Sequence, residues 1–432
     1  MADGNSLGIG AAIAGLMPKL DMEHVTSFDP VLPYSPSLTE ASSIESYKIS
    51  WHQLVVIGNG FDLECDLPSK FSDFIAYKHP EPRRHVGSWG GGFQQYKDEN
   101  AWDIILLEDK ALDNWCDIEG AISSWICGPT KKTAVTGRNL KPLIDCLNDP
   151  GRMVTNDFRV DYEVTRRLLC AYGRDKVWDE ASVLDALRNE LALLEKDFAA
   201  YLARAVDKNQ SYQENARKLL IEILAGELPD KESHDEESSV LSFNYTNSFG
   251  MLRTDEHPIG VINIHGRLDG EIVFGIDGTG IMGDSLRAPF TKTYRLMNLD
   301  VPHTDSIVHM KSGGLMNDGT ALIKFYGHSL GKADYSYFQA LFDSVGLYEG
   351  NTRLIFYFRP PKNEDGTRSD EAEARRAMMD KAIRLLDAYG DTLDNKDHGK
   401  NLIHKLLMEG RLSVKRLPET VQRKTDSKRG DV

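Results

Sequence analysis

The sequence predicts an α/β fold, an open parallel sheet with a large helical insertion, and three observations lead there. The apolar run Leu54-Val55-Val56-Ile57 breaks into Gly58-Asn59-Gly60, short apolar runs return after residue 239, and helix-period patterning fills the interval. Strands covered on both faces read as continuous apolar runs, whereas amphipathic helices repeat apolar residues every three or four positions.

Residues 1–50 hold Pro30, Pro33 and Pro36 among Ser, Thr and Glu, without sustained periodicity, and read as an N-terminal extension. The first strand follows and ends in the two-glycine turn. Glycines there let the chain bend sharply and bring its N–H groups close to a pyrophosphate, although a tight structural turn uses the same residues. Phe71, Phe74 and Tyr77 predict a helix, and Pro80, Pro82 and Trp89-Gly90-Gly91-Gly92 predict a loop. From Val183 through Leu187, Leu191, Leu194, Phe198 and Leu202 to Val206 the spacing predicts a long helix with Glu195 and Lys196 on its wet side. A second helix is expected over Tyr212 to Ala225, then a solvated acidic loop over Glu227 to Ser239.

Strands are expected at Val240 to Phe243, Gly260 to Ile264, Ile272 to Phe274, Ala321 to Tyr326 and Leu354 to Phe358. Helices follow near Glu371 to Tyr389 and Asn401 to Glu409, then a basic tail from Pro418. The expected organisation is therefore an extension over 1–50, a nucleotide-binding domain over 51–360 with the helical insertion at about 95–235, and C-terminal helices and tail over 361–432.

Composition narrows the function classes. With 432 residues, 41% hydrophobic and 27% charged, the chain reads as globular, and no run approaches the roughly 18 to 20 apolar residues of a membrane span. The stretch Leu7 to Leu16 lacks the basic flank of a secretory signal, so a cytoplasmic location is expected. The net charge of −15 disfavours a nucleic-acid coat protein. Five cysteines without metal spacing predict reduced thiols and no metal.

Four polar clusters fall at predicted strand ends, where ligands bind in open α/β sheets: Gly58-Asn59-Gly60-Phe61-Asp62, Asn244-Tyr245-Thr246-Asn247, His265-Gly266-Arg267 and Gly327-His328-Ser329-Leu330. Each alone has a structural reading, such as a helix cap at Asn244 or a satisfied half-buried ring at His265. Four in one sheet converge on one crevice. A rival pattern, Gly327-His328-Ser329-Leu330-Gly331, fits the nucleophile elbow of a serine hydrolase, with Asp387 or Asp391 and His398 or His404 following in the required order. That reading leaves the glycine turn and Asn244 without a role. Residues Gly327 to Ala333 fall short of a P-loop, and scattered His303 and His309 read as filler rather than metal ligands.

Taken in order, GNGFD, SFNYTN, INIHG, FGI and YGHSL with a following Asp resemble the AbiH family of bacteriophage abortive infection, as do Trp115 with Asp117 and Glu119, and Lys292 before Tyr294. The resemblance spans about Leu54 to Phe358. More distantly the pattern is similar to the Rossmann-like, sirtuin-like NAD fold, which implies NAD as substrate or ligand. On that resemblance Gly58, Asn59, Gly60, Phe61, Thr246, Gly327, His328 and Ser329 would contact the cofactor, and Asn244, His265 and Asp62 would carry the chemistry. Asn244 would hold water or ribose hydroxyls, His265 would act as general base near its ordinary pKa, and Asp62 would stabilise developing positive charge or bind a ribose hydroxyl. Two departures stand out: Thr246 replaces the usual Asp, and Asp62 replaces the usual Ser.

The expected function is an antiphage effector that binds and hydrolyses NAD. The alternatives are a non-catalytic nucleotide sensor or interaction module, the serine hydrolase, and an RNA nuclease. Expected partners are a nucleotide ligand, a second copy of the chain and a phage-derived trigger or partner protein.

Overall fold

The computed structural model describes residues 51–80, 99–108, 116–127, 139–150, 159–227, 236–247, 259–299, 307–308, 319–363, 365–394 and 396–418. The expected extension over 1–50, the loop beyond Pro80, Trp115, His303, His309 and the tail beyond Pro418 lie outside them. In chain order the elements are β1 (Trp51–Ile57), α1 (Asn59–Glu64), α2 (Phe71–Lys78), α3 (Ala101–Glu108), α4 (Cys116–Ile126), α5 (Lys141–Asn148), α6 (Arg159–Tyr172), α7 (Glu180–Lys208) and α8 (Tyr212–Ala225). They continue with β2 (Glu236–Ser242), β3 (Gly260–Asn263), α9 (Lys292–Leu299), β4 (Thr320–Tyr326), α10 (Tyr335–Ser344), β5 (Arg353–Phe358), α11 (Glu371–Gly390), α12 (Lys396–Met408) and β6 (Leu412–Arg416).

Among the described residues the strands form one sheet in the order β3-β2-β1-β4-β5-β6, every pairing parallel. The apolar runs are explained by alternation across this sheet. Leu54 and Val56 of β1, Ile323 and Phe325 of β4, and Leu354 and Phe356 of β5 enter one core with α10, α11 and α12. Their neighbours Val55, Ile57, Leu322, Tyr326, Ile355 and Tyr357 enter a second core with α8. Successive side chains point to opposite faces, so a strand with a core on each side must be apolar throughout. Lys324 interrupts the β4 run, yet its buried Nζ donates to the carbonyls of Ile223 (3.1 Å) and Leu224 (2.7 Å) at the end of α8. A cation at a helix C-terminus meets both the orphan carbonyls and the negative end of the dipole.

A third core belongs to the insertion, where α2 to α7 pack around Trp102, Ile122, Leu168, Leu187, Leu194 and Phe198. Helix α7 starts on a reciprocal cap: Asp179 accepts from the Ser182 amide (2.8 Å), and the Ser182 hydroxyl faces the Asp179 amide (2.9 Å).

Four expectations change. Glu195 is buried rather than wet, because Arg295 and the Phe274 amide (2.6 Å) satisfy its carboxylate. Ile272 to Phe274 form no strand; Ile272 makes one antiparallel bridge with Gly266, and the Val273 amide donates to the His265 carbonyl (3.0 Å). The end of the expected acidic loop joins the sheet, since β2 begins at Glu236. The sheet also continues beyond residue 360: α11 and α12 form the crossover to β6, which pairs with β5, so the segment over 361–432 contributes a strand to the main sheet.

Candidate functional site

Strand order reverses between β1 and β4, and a cleft of about 550 Å³ opens over their C-terminal ends. Chains leaving two adjacent parallel strands in opposite directions cannot cover the gap between them, which makes this position the ligand crevice of doubly wound sheets. Its walls include Gly58, Asn59, Gly60 and Asp62, then Asn244 and His265, and then Gly327, His328, Ser329 and Asp334. All four clusters picked out at strand ends therefore contribute to one cavity.

The glycines serve first to let two turns touch. A Cβ on Gly58 would lie 2.7 to 2.8 Å from His328, and one on Gly60 would lie 2.8 Å from the Gly327 backbone. Gly327 has φ +69° and would place a Cβ 2.4 Å from the Phe61 nitrogen. The Gly60 amide donates to the Gly327 carbonyl (2.7 Å), so that donor is already committed inside the protein. Asn59 accepts from the Ser69 hydroxyl (2.5 Å), which ties the turn to the loop before α2.

Two expected contact residues do not line the cleft. Phe61 is fully buried in the core with α8, edge-on to Tyr326, and Thr246 lies behind Asp62. Asp62 reaches the cleft wall, but its carboxylate is turned to protein donors: the Tyr212 hydroxyl (2.7 Å) and the Thr246 hydroxyl (2.9 Å). Burial pushes this carboxyl up to about 6, and the hydrogen bonds oppose that rise only in part. The Asn244 amide approaches Asp62 and adds to the opposition, without closing a hydrogen bond of sound geometry.

Asn263, at the end of β3, escaped the sequence reading. Its side-chain amide donates to the carbonyls of Asn244 (2.7 Å) and Thr246 (2.9 Å), clamping the turn after β2. The signal was the Asn inside Ile262-Asn263-Ile264: an amide in a buried strand needs partners. The clamp presents Asn244, which is buried and whose Nδ2 has no hydrogen-bond partner.

His265, which lines the same cleft, is buried, with Phe243 (5.2 Å between ring centroids) and Tyr337 (5.6 Å) edge-on. Its Nε2 lies 3.4 Å from Asp334 but outside hydrogen-bond geometry, and is unpartnered. The expectation of an ordinary imidazole pKa is corrected here: burial first, then the Lys292 cation, press it down to about 3.

Lys292 centres a buried charge cluster that the sequence reading had noted only as separate pieces. Its Nζ contacts Asp334 (2.5 Å) and Glu119 on α4. Asp334 also faces His328 Nε2 (3.5 Å), while His328 Nδ1 accepts the Leu330 amide (2.8 Å), which places the proton of the neutral ring on Nε2. Two carboxylates share one cation unequally: the cation holds Asp334 far below the usual range, whereas burial pushes Glu119 up.

The hydrolase elbow is not assembled among the described residues. Ser329 is exposed, its hydroxyl meets the Gly331 amide at 3.4 Å, and the left-handed backbone falls on Gly327 and Leu330 (φ +55°) instead. His398 stacks on Tyr348 (4.3 Å), and His404 is exposed on α12. Among the described residues, no group of three or more His, Cys, Asp or Glu side chains could hold a metal ion, and no helix is long and apolar enough to cross a membrane.

Fold and cleft together define a Rossmann-like, doubly wound α/β protein with an open cleft at the topological switch point. Within that class the chain belongs to the AbiH family: the family model described as bacteriophage abortive infection AbiH matches residues 54–357. No curated protein and no solved structure matches it.

Proposed function

We propose that the cleft binds NAD and hydrolyses its nicotinamide–ribose bond, as the effector step of abortive infection. The observation that carries this reading is that two residues lining one crevice, Asn244 and His265, each hold a buried side-chain nitrogen without a hydrogen-bond partner, Nδ2 and Nε2. Among the described residues other buried atoms also lack partners, but these two belong to residues lining one cleft, where a ligand would supply what is missing.

The chemistry suits these groups. Nicotinamide leaves without taking up a proton, and water adds to an oxocarbenium-like ribose, giving ADP-ribose, nicotinamide and one proton. Asn244 donates to a ribose hydroxyl or orders the water, and neutral His265 accepts from that water. Asp62 acts at one remove. The two departures from the sirtuin-like pattern are a single contact, with carboxylate and hydroxyl exchanged between positions 62 and 246, so the acid braces the turn that carries Asn244.

The low basicity of His265 favours a second reading, in which the nucleotide is held without turnover and the protein acts as a sensor. Purified protein incubated with NAD, alone and with phage lysate, separates the two. Release of nicotinamide and ADP-ribose that is lost in Asn244→Ala and His265→Ala supports hydrolysis. NAD binding by calorimetry without release supports the sensor, and absence of both rejects the dinucleotide.

A further inference from the structure

Asp334 stands at the position before α10 where an Asp ordinarily caps its helix, yet its side chain makes no capping hydrogen bond. It turns inward instead. One oxygen contacts Lys292 Nζ (2.5 Å) and lies 3.4 Å from His265 Nε2, and the other lies 3.5 Å from His328 Nε2. Lys292 is only 3% exposed and is held from its far side by Glu119. The carboxylate thus lies near both cleft histidines and is held by a buried cation.

We propose that Asp334 is a positioning residue for the reaction in the cleft: it orients His265 and favours its protonated form as the water proton is taken up, while Lys292, anchored by Glu119, fixes Asp334 and opposes premature protonation. This places beside His265 a carboxylate that Asp62, turned toward Tyr212 and Thr246, does not supply. The groups facing the cluster come from every side: Lys292 on α9, Glu119 on α4, His265 after β3, His328 after β4, Tyr337 on α10, and Tyr245 and Asp277 from flanking loops. After burial, which lowers the proton affinity of His265 most, Lys292 lowers it further and Asp334 raises it, so the two residues act in opposite directions.

The kinetic part rests on the NAD reading, whereas the titration does not. Full-length protein labelled at histidine ¹³Cε1 is titrated by NMR, with His265→Gln assigning the signal. Lys292→Met is expected to raise the His265 protonation constant about tenfold or more, toward the ordinary imidazole range. Adding Asp334→Asn to that variant is expected to reverse the rise. A His265 signal indifferent to Asp334→Asn in the Lys292→Met background overturns the proposal. Should Lys292→Met lose its fold by circular dichroism, NAD kinetics decide. Asp334→Asn is expected to lower kcat about 10- to 100-fold with KM within about twofold, and Asp334→Glu to restore part of it. Unchanged kcat, or parallel loss of both parameters, overturns it. Absence of turnover in the wild type rejects the NAD reading and leaves the titration to judge Asp334.

Discussion

Two buried ion networks lie in this molecule, and they are built differently. In the insertion, Arg167 grips Glu190 through two bonds of 2.9 Å, and the Ala101 amide (2.8 Å) and the Tyr172 hydroxyl (3.2 Å) take up the remaining capacity of the carboxylate. At the cleft, Lys292 is a single point charge divided between two carboxylates, with Asn244 Nδ2, His265 Nε2 and Tyr337 Oη unpartnered nearby. A planar guanidinium matched to a carboxylate gives fixed, saturated geometry, and an ammonium among several acceptors does not. The first network is internally satisfied; the second leaves polar atoms open beside the cleft to which the proposed function assigns a ligand. The difference lies in partner accounting, since burial is similar in both.

The largest test breaks the scaffold network. Glu190→Ala removes the buried carboxylate shared by Arg167, the Ala101 amide and the Tyr172 hydroxyl and is expected to destabilise by about 3–5 kcal/mol in urea unfolding. Next comes Asp62, whose folded pKa of about 6 exceeds the free value of 3.8. Between those values the folded protein keeps a proton that the unfolded chain has released, so stability falls as pH rises through that window and then levels off. The fall is on the order of 3 kcal/mol, and Asp62→Asn is expected to flatten it in urea melts across the range. Gly327→Ala puts a side chain at φ +69° and against the Phe61 nitrogen, with an expected loss of at least about 1–3 kcal/mol in thermal unfolding, together with weaker nucleotide binding. The smallest change in stability sharpens the contrast most. Asn244→Ala removes an unpartnered donor and is expected to shift stability by less than about 1 kcal/mol while abolishing NAD binding or turnover.

Much of the site was legible because its pieces sit at strand ends. Gly58, Asn244, His265 and His328 each follow an apolar run, and strand ends share one edge whatever the connections between them. Lys292, Asp334 and Glu119 carried no such marker. Lys292 and Glu119 sit on helices, Asp334 stands before one, and only the packing of α4 and α9 against the turn after β4 brings their charges together. The side chain of Phe61 goes to the core for a related reason: next to a glycine turn, a one-residue rotation decides between cleft and core, and the core with α8 took it. Glu195 looked wet by periodicity, because a helix pattern does not reveal that Arg295, far along the chain, will pair with it.

The sequence by itself determined the parallel sheet, the cleft edge and the AbiH membership, because apolar alternation, turn glycines and motif order are local or linear properties. The tertiary structure decided which polar atoms are satisfied. It turned Asp62 away from the cleft toward Tyr212 and Thr246, committed the Gly60 amide to Gly327, and set Asp334 between two histidines and a buried lysine. Hydrogen-bond satisfaction depends on distances between residues far apart in the chain, and those distances exist only once the helices have packed.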